Sequence, residues 1–224
     1  LHLALNAVGI EKDDEVLIPT NTFISTAEAV VYSGAIPILC DIEPKYHNID
    51  VNLIESKITS NTKAIIPVHF GGHPCEMDEI KRIATQYNLK VIEDAAHALP
   101  SSYKNKKIGI LSDAVCFSFY ATKTLTTGEG GMVTTNNSKI AEKIKIQRLH
   151  GISGDAWKRY GQNNDWYYEV VDLGYKYNTT DIQASIGIIQ LEKLEWMRDE
   201  RKKIAEKYNN AFAGKLNFII ENNQ

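Results

Sequence analysis

The sequence of 224 residues has little of several features that define common protein classes. It contains only three cysteines, Cys40, Cys75 and Cys116, and they are widely spaced. An odd and scattered set predicts reduced thiols in a cytosolic protein rather than a disulfide framework or a zinc site. No apolar run reaches the length of about 18 residues that a membrane-spanning helix needs. The net charge of −3 also lacks the basic excess that is typical of proteins that bind nucleic acids.

Several short motifs with known chemistry are missing as well. No Gly-x-Gly-x-x-Gly fingerprint follows the first strands, and no phosphate loop ends in Gly-Lys-Ser/Thr. The sequence has no Gly-x-Ser-x-Gly elbow. Its His and Cys residues do not cluster at the spacing of metal ligands. These absences weaken the most common functions of an α/β domain.

The pattern of apolar residues predicts an α/β fold. Hydrophobic residues make up 43% of the chain and charged residues of both signs 24%, as in a folded domain with a sizeable core. The predicted strands are residues 15–19, 36–42, 64–68, 90–93, 114–119 and 131–135. The predicted helices include residues 24–33, 51–57 and 76–87. This alternation indicates a mainly parallel central sheet flanked by helices. The loop between the last two strands is too short for a helical crossover and predicts an antiparallel pair.

The two ends of the sequence add further expectations. It opens without Met on an apolar helical pattern, LHLALNAVGI, and without the basic segment of a signal peptide. Apolar residues at helical spacing predict one long helix over residues 181–212 that leaves the sheet domain. We therefore expect the chain to be a piece of a longer protein, cut at both ends.

Asp94 and His97 follow the predicted strand at residues 90–93, in the segment VIEDAAHALPSSY. Parallel α/β sheets bind ligands beyond the carboxyl ends of their strands, so a carboxylate at this position is expected to face a ligand crevice. The alternative is that Asp94 only caps the following turn, which Asp does well. For His97 the alternative is a histidine packed in a helix.

Lys123 follows the next strand, in the segment FSFYATKTLTTGEGGM, five residues after Ser118. A lysine held in a partly apolar loop is able to attack an aldehyde as a nucleophile. Three glycines close this loop and allow close approach of the backbone. The alternative is a surface lysine in a flexible glycine-rich turn.

These two segments in this order resemble the DegT-type sugar aminotransferases, which are pyridoxal-phosphate (PLP) enzymes of the aspartate-aminotransferase fold. The resemblance extends over nearly the whole chain, through LHLALNAVGIEKDDEVLIPTNTFISTAEAV, TKAIIPVHFGGHPCEMDEI and GYKYNTTDIQASIGIIQLEKLEWM. It implies the large domain of a fold-type-I PLP enzyme at residues 1–178. Residues 179–224 would then hold the interdomain helix and the start of a small C-terminal domain, most of which lies outside the sequence.

The resemblance also implies a role for five residues. Lys123 would form the internal aldimine with PLP and later shuttle a proton between two carbons of the substrate imine. Asp94 would pair with the pyridine nitrogen, and His97 would lie beside the ring. Ser118 would bind the phosphate and Phe23 would stack on the ring, although without the resemblance Phe23 is better explained as a core residue.

The sequence departs from the family pattern in two places. The Gly-Thr pair that binds the cofactor phosphate at the start of the first helix would lie before Leu1. In the segment GYKYN, Lys176 stands where many members have an Asn that reaches the phosphate of the neighbouring subunit. Either Lys176 or Asn178 would take over that contact.

The function implied by the resemblance is transfer of an amino group from glutamate to a keto group of a nucleotide-linked sugar. The first half of the reaction would yield 2-oxoglutarate, in a cytoplasmic homodimer with no nucleic-acid or membrane partner. A PLP-dependent sugar dehydratase and a non-catalytic regulator with the same fold are the alternatives. The aromatic residues Trp157 and Trp166–Tyr168 form a further candidate surface, for a nucleotide base.

Overall fold

The computed structural model describes residues 1–153 and 168–216. Its strands are β1 (Glu15–Pro19), β2 (Ile36–Cys40), β3 (Thr62–Ile65), β4 (Lys90–Asp94), β5 (Ser102–Tyr103), β6 (Lys106–Lys107), β7 (Ala114–Ser118) and β8 (Gly131–Thr134). Its helices are α1 (His2–Val8), α2 (Ile24–Tyr32), α3 (Val51–Lys57), α4 (Met77–Tyr87), α5 (Ser138–Gln147), α6 (Asp181–Glu192) and α7 (Leu194–Phe212), with a short 3₁₀ turn at Phe70–Gly72.

The strands form a six-stranded sheet in the order β2-β1-β3-β4-β7-β8. All neighbours are parallel except β7 and β8, which pair antiparallel, so both predictions about the sheet are confirmed. The hairpin of β5 and β6 was not predicted. Its turn residues Lys104 and Asn105 have positive φ angles of 47° and 64°. Its strands are only two residues long, too short for an alternating pattern to be visible.

Side chains that alternate along the strands fill two cores, one on each face of the sheet. Leu17 belongs to the core that contains buried residues of α3 and α4, including Ile54 and Ile80. Its neighbours Val16 and Ile18 belong to the core that contains buried residues of α1 and α2. The sheet is therefore covered on both sides, which explains why its central strands read as continuous apolar runs.

The region 181–212 is helical as predicted, but it holds two consecutive helices, α6 and α7, that are separated at Lys193. Thr180 starts α6 with a capping box, in which its hydroxyl and the side chain of Gln183 each bond the other's backbone N–H. The N–H of Lys193 bonds the carbonyl of Gln190, three residues back, and this tightened turn ends α6. Apolar spacing did not reveal the break, since it continues through both helices. Helix α5, capped by Asn137, was also not predicted.

No helix within residues 1–153 and 168–216 is both long enough and apolar enough to cross a membrane. Of the predicted aromatic surface, Trp157 and residues 166–167 lie outside the described residues. Tyr168 is described and is exposed. The division of the chain between residues 178 and 179 stays a prediction.

Candidate active site

Asp94 ends β4, in the middle of the sheet, and its backbone lies opposite Cys116 of β7. Ser118 ends β7, and Lys123 lies in the loop that connects β7 to β8. The carboxyl ends of the two strands and this loop therefore meet at one edge of the sheet, where α/β proteins bind their ligands.

The Asp94 side chain is 6% exposed, and a donor contacts each of its carboxylate oxygens. The Thr26 hydroxyl donates to Oδ2 at 2.8 Å, and the Ala96 backbone N–H donates to Oδ1 at 3.2 Å. The second bond shows that Asp94 caps the following turn, which was the alternative explanation of this residue. The first bond is a contact that a turn cap does not need.

His97 is exposed on the turn that follows β4, so the interpretation of a histidine packed in a helix is wrong. Partial burial lowers the pKa of its imidazole below 6.5, and the positive charge of Lys123 lowers it further. The negative charge of Asp94 acts in the opposite direction. His97 follows Asp94 by three residues, and Lys123 lies in the loop after the neighbouring strand β7.

Backbone hydrogen bonds join the two ends of the loop that carries Lys123. The Thr127 N–H donates to the Phe119 carbonyl at 3.0 Å, and the Phe119 N–H donates to the Gly130 carbonyl at 2.8 Å. The amide of Gln183, on α6, donates to the Glu129 carbonyl at 2.9 Å. Lys123 is half-buried in this loop, which does not fit the alternative of a surface lysine in a flexible turn.

The turn at Phe70–Gly72 packs against the segment that carries His97. The Ser101 hydroxyl donates to the Gly72 carbonyl at 2.7 Å. A Cβ atom on Gly72 would lie 2.8 Å from the carbonyl oxygen of His97, and Gly72 has a φ of +88°. Only glycine fits here without a shift of one of the two segments.

His69 and Glu93 form a fully buried pair next to Asp94, with 2.8 Å between His69 Nε2 and Glu93 Oε2. The Cys75 backbone N–H donates to His69 Nδ1, so this nitrogen carries no proton and Nε2–H donates to the carboxylate. The backbone N–H of His69 donates to the backbone carbonyl of Asp94 at 3.1 Å. The pair therefore holds the strand end that carries Asp94.

Phe23 is 76% exposed at the N-cap of α2, which excludes the interpretation of a core phenylalanine. It lies three residues before Thr26, which contacts Asp94. The Ser118 hydroxyl oxygen accepts a hydrogen bond from the Tyr120 N–H at 3.3 Å. These positions leave both residues at the same edge of the sheet as Asp94.

Lys176 and Asn178 lie in the segment that precedes α6. Lys176 forms an isolated bridge with Leu149, and its side chain is exposed. The Asn178 amide donates to the Thr179 carbonyl at 3.4 Å. Within the described residues, no hydrogen bond or ion pair joins either side chain to the five residues above, so the choice between them stays open.

The cysteines do not supply a nucleophile. All three are buried and free. Burial raises the pKa of each thiol, to about 11 for Cys40. Among residues 1–153 and 168–216, no group of His, Cys, Asp and Glu side chains has the arrangement of a metal site. Lys123 is therefore the best candidate for a reactive side chain in this region.

Sequence reasoning missed the residues that hold Asp94 and His97, namely Thr26, His69, Gly72 and Glu93. The only signal for Glu93 was a charged residue inside an otherwise apolar strand, next to Asp94. Thr26 is 68 residues away from Asp94 in sequence and carried no signal.

The chain belongs to the DegT/DnrJ/EryC1/StrS aminotransferase family, whose sequence pattern it matches over residues 1–223. It is 60% identical over 212 residues to an uncharacterized protein of Methanocaldococcus jannaschii, covering 95% of the chain and 55% of that protein. It is 49% identical over 212 residues to the spore coat polysaccharide biosynthesis protein SpsC of Bacillus subtilis, covering 95% of the chain and 54% of SpsC. It is 44% identical over 213 residues to GDP-perosamine synthase of Caulobacter vibrioides, covering 95% of the chain and 55% of that synthase.

Solved structures agree with this assignment. The structure of PseC from Helicobacter pylori, an aminotransferase involved in the biosynthesis of pseudoaminic acid, matches with a TM-score of 0.87 and 32% identity over 95% of the chain and 56% of PseC. Spr1654 from Streptococcus pneumoniae, in its PMP-form, matches with a TM-score of 0.87 and 32% identity over 95% of the chain and 58% of Spr1654. The chain spans about half the length of the curated relatives that it matches. Its fold is that of the large, sheet-containing part of these aminotransferases.

Proposed function

We propose that the chain forms the cofactor-binding part of a PLP-dependent aminotransferase that moves an amino group from glutamate to a keto group of a nucleotide-linked sugar. Membership of the family supports the reaction type. The names of two similar proteins, GDP-perosamine synthase and PseC, support a sugar substrate. The observation that carries the proposal is the position of Asp94, Ser118 and Lys123 at the carboxyl ends of the neighbouring strands β4 and β7 and in the loop that follows β7.

The residues at this edge fit PLP. Two donors occupy the Asp94 carboxylate, which leaves further lone pairs for a pyridinium N–H. The exposed ring of Phe23 offers an apolar face, and Ser118 offers a hydroxyl to a phosphate. The similar protein Spr1654 has been solved in a PLP-form and in a PMP-form.

Bound PLP supplies an electron sink for reactions at an amine-bearing carbon. The protein's part is to hold and to move protons. Asp94 would accept the N–H of the ring and so favour the charged pyridine. The Nζ of Lys123 would hold the cofactor covalently and, when free, would take a proton from, or return it to, the amine-bearing carbon of the substrate. His97, neutral because its pKa is lowered, would donate or accept a hydrogen bond beside the ring.

The presence of Lys123 favours the transaminase over the dehydratase, since dehydratase relatives tend to replace this lysine.

The division into residues 1–178 and 179–224 is part of the same proposal. A cytoplasmic location is also part of it, and three buried free thiols support that location. A homodimer is part of it too. Exposed apolar side chains on one face of α6, at Ile182, Ile186 and Ile189, support an interface there.

The proposal is tested by mixing the protein with PLP, reducing with borohydride and locating the label by peptide mass spectrometry. We expect a visible absorption band and a reduced adduct on Lys123. The Lys123→Ala variant should lose both the band and the adduct. The Lys139→Ala variant, which changes an exposed residue of α5, should keep both. Glutamate should bleach the band and release 2-oxoglutarate, and a nucleotide-linked keto-sugar should restore it. A label on other lysines, or bleaching without transfer of nitrogen to the sugar, would contradict the proposal.

A further inference from the structure

The hydrogen bonds around Asp94 extend beyond the carboxylate into α2. Thr26 is fully buried, and its hydroxyl donates to Asp94 Oδ2 at 2.8 Å. The hydroxyl oxygens of Thr22 and Thr26 are 2.7 Å apart. A threonine hydroxyl has one proton, and that of Thr26 is given to Asp94. Thr22 is therefore the donor to Thr26, and the chain of bonds runs in one direction, from Thr22 through Thr26 to Asp94.

This direction has an electrostatic consequence. A hydrogen bond to a carboxylate oxygen is shorter and stronger than one between neutral groups, so it fixes the position of the acceptor more firmly. Successive bonds that point the same way polarise one another. Since Asp94 is almost completely buried, solvent does little to screen or to replace this stabilisation.

The same segment also sets the geometry. Thr22 and Thr26 flank Phe23 and lie at the start of α2. Thr26 thereby ties the residue proposed to stack on the ring to the residue proposed to pair with the ring nitrogen. A shift of α2 would alter both positions together.

We infer that Thr26 is a positioning residue, which holds the Asp94 carboxylate in the orientation that accepts the pyridine N–H of bound PLP, so that the ring nitrogen retains its proton. This inference rests on the proposed function, because it needs PLP with its ring nitrogen at Asp94. The competing explanation is that Thr26 is a buried β-branched residue of α2 that only fills space in the core.

The experiment measures the ¹⁵N chemical shift of PLP labelled at the ring nitrogen and bound to the protein, together with the dissociation constant of PLP. Thr26→Val keeps the shape and removes the hydroxyl, and Thr26→Ser restores it. We expect Thr26→Val to move the shift toward that of unprotonated pyridine and to weaken PLP binding roughly tenfold. Thr26→Ser should return both values close to those of the wild type.

Thr62→Val is the matched control. Thr62 is also buried, and its hydroxyl donates to a carboxylate, that of Glu15, at 3.2 Å, near the opposite edge of the sheet. This variant loses the same kind of bond and is expected to leave the ¹⁵N shift unchanged. An equal ¹⁵N shift in the Thr26→Val and wild-type proteins would overturn the inference, as would an equal change in Thr62→Val.

Asp94→Asn separates this inference from the proposed function. If Asp94→Asn removes the protonated-ring signal and Thr26→Val does not, only the role of Thr26 is wrong. If the wild-type protein has no protonated ring nitrogen, or Asp94→Asn has no effect on it, the proposed pairing with Asp94 fails and this inference fails with it.

Discussion

The close contact between Gly72 and His97 makes Gly72→Ala a sharp test of how the candidate site is held. Gly72 lies in the turn at Phe70–Gly72, and its φ of +88° belongs to the left-handed region. The added Cβ would lie 2.8 Å from the carbonyl oxygen of His97, a distance that side chains do not adopt. One of the two backbone segments must move, and His97 is only three residues from Asp94.

The expected cost has two parts. A left-handed φ costs an alanine about 1–2 kcal/mol, and relieving an overpacked contact with backbone costs about 1–3 kcal/mol. Gly71 separates the two, because its φ is +59° but nothing lies within 4 Å of its Cβ position. We therefore expect the free energy of unfolding to fall by about 2–5 kcal/mol in Gly72→Ala and by about 1–2 kcal/mol in Gly71→Ala.

Urea unfolding followed by circular dichroism measures both losses. A lower midpoint at an unchanged m-value would identify them as changes in stability. The Gly72→Ala protein should also bind PLP more weakly than the Gly71→Ala protein, since only Gly72 contacts the segment that follows Asp94. Equal losses of stability in the two variants would refute the steric argument and leave only the cost of the backbone angle.

Two further predictions concern charge and assembly. An NMR titration of His97 without cofactor should give a pKa below 6.5. The Lys123→Met variant should raise this pKa, and the Asp94→Asn variant should lower it further. An unchanged pKa in both variants would mean that these side chains do not face one another. Because the pKa of His97 is lower in the folded chain, the unfolded chain binds the proton at a higher pH, and the wild type should lose stability as the pH falls below 6.5. The His97→Gln variant should not show this loss, and the difference in stability between the two proteins should be constant above pH 6.5. Sedimentation should give twice the mass of one chain, and Ile182→Asp, at an exposed site, should yield monomers without unfolding; a wild-type monomer would contradict the proposed dimer.

The sheet could be predicted because its strands are short apolar runs separated by turns, which is a local signal. The antiparallel β8 followed from loop length alone. The break between α6 and α7 could not be found in this way, since both helices have apolar residues at helical spacing and only the bond from Lys193 to Gln190 separates them. The hairpin of β5 and β6 was hidden for the opposite reason, as it has too few residues to form a pattern.

The candidate site divides in a similar way. Asp94 and Lys123 follow strands and are reactive residue types, so position and chemistry both marked them. Thr26 and Gly72 are ordinary residues whose importance lies in contacts with distant parts of the chain. The sequence therefore pointed to groups that would touch a ligand, whereas the groups that hold them in place appear only when the chain is folded.

Asp94 is held through its side chain by Thr26 and through its backbone by the segment that follows β3. Thr26 reaches its side chain from α2, on one face. The backbone N–H of His69 donates to the backbone carbonyl of Asp94, and the ring of His69 bonds the Glu93 carboxylate. Because side chains alternate along a strand, Glu93 and Asp94 point to opposite faces, and Glu93 acts on Asp94 only through His69 and the backbone. The carboxylate is therefore oriented by the fold itself, before any ligand binds.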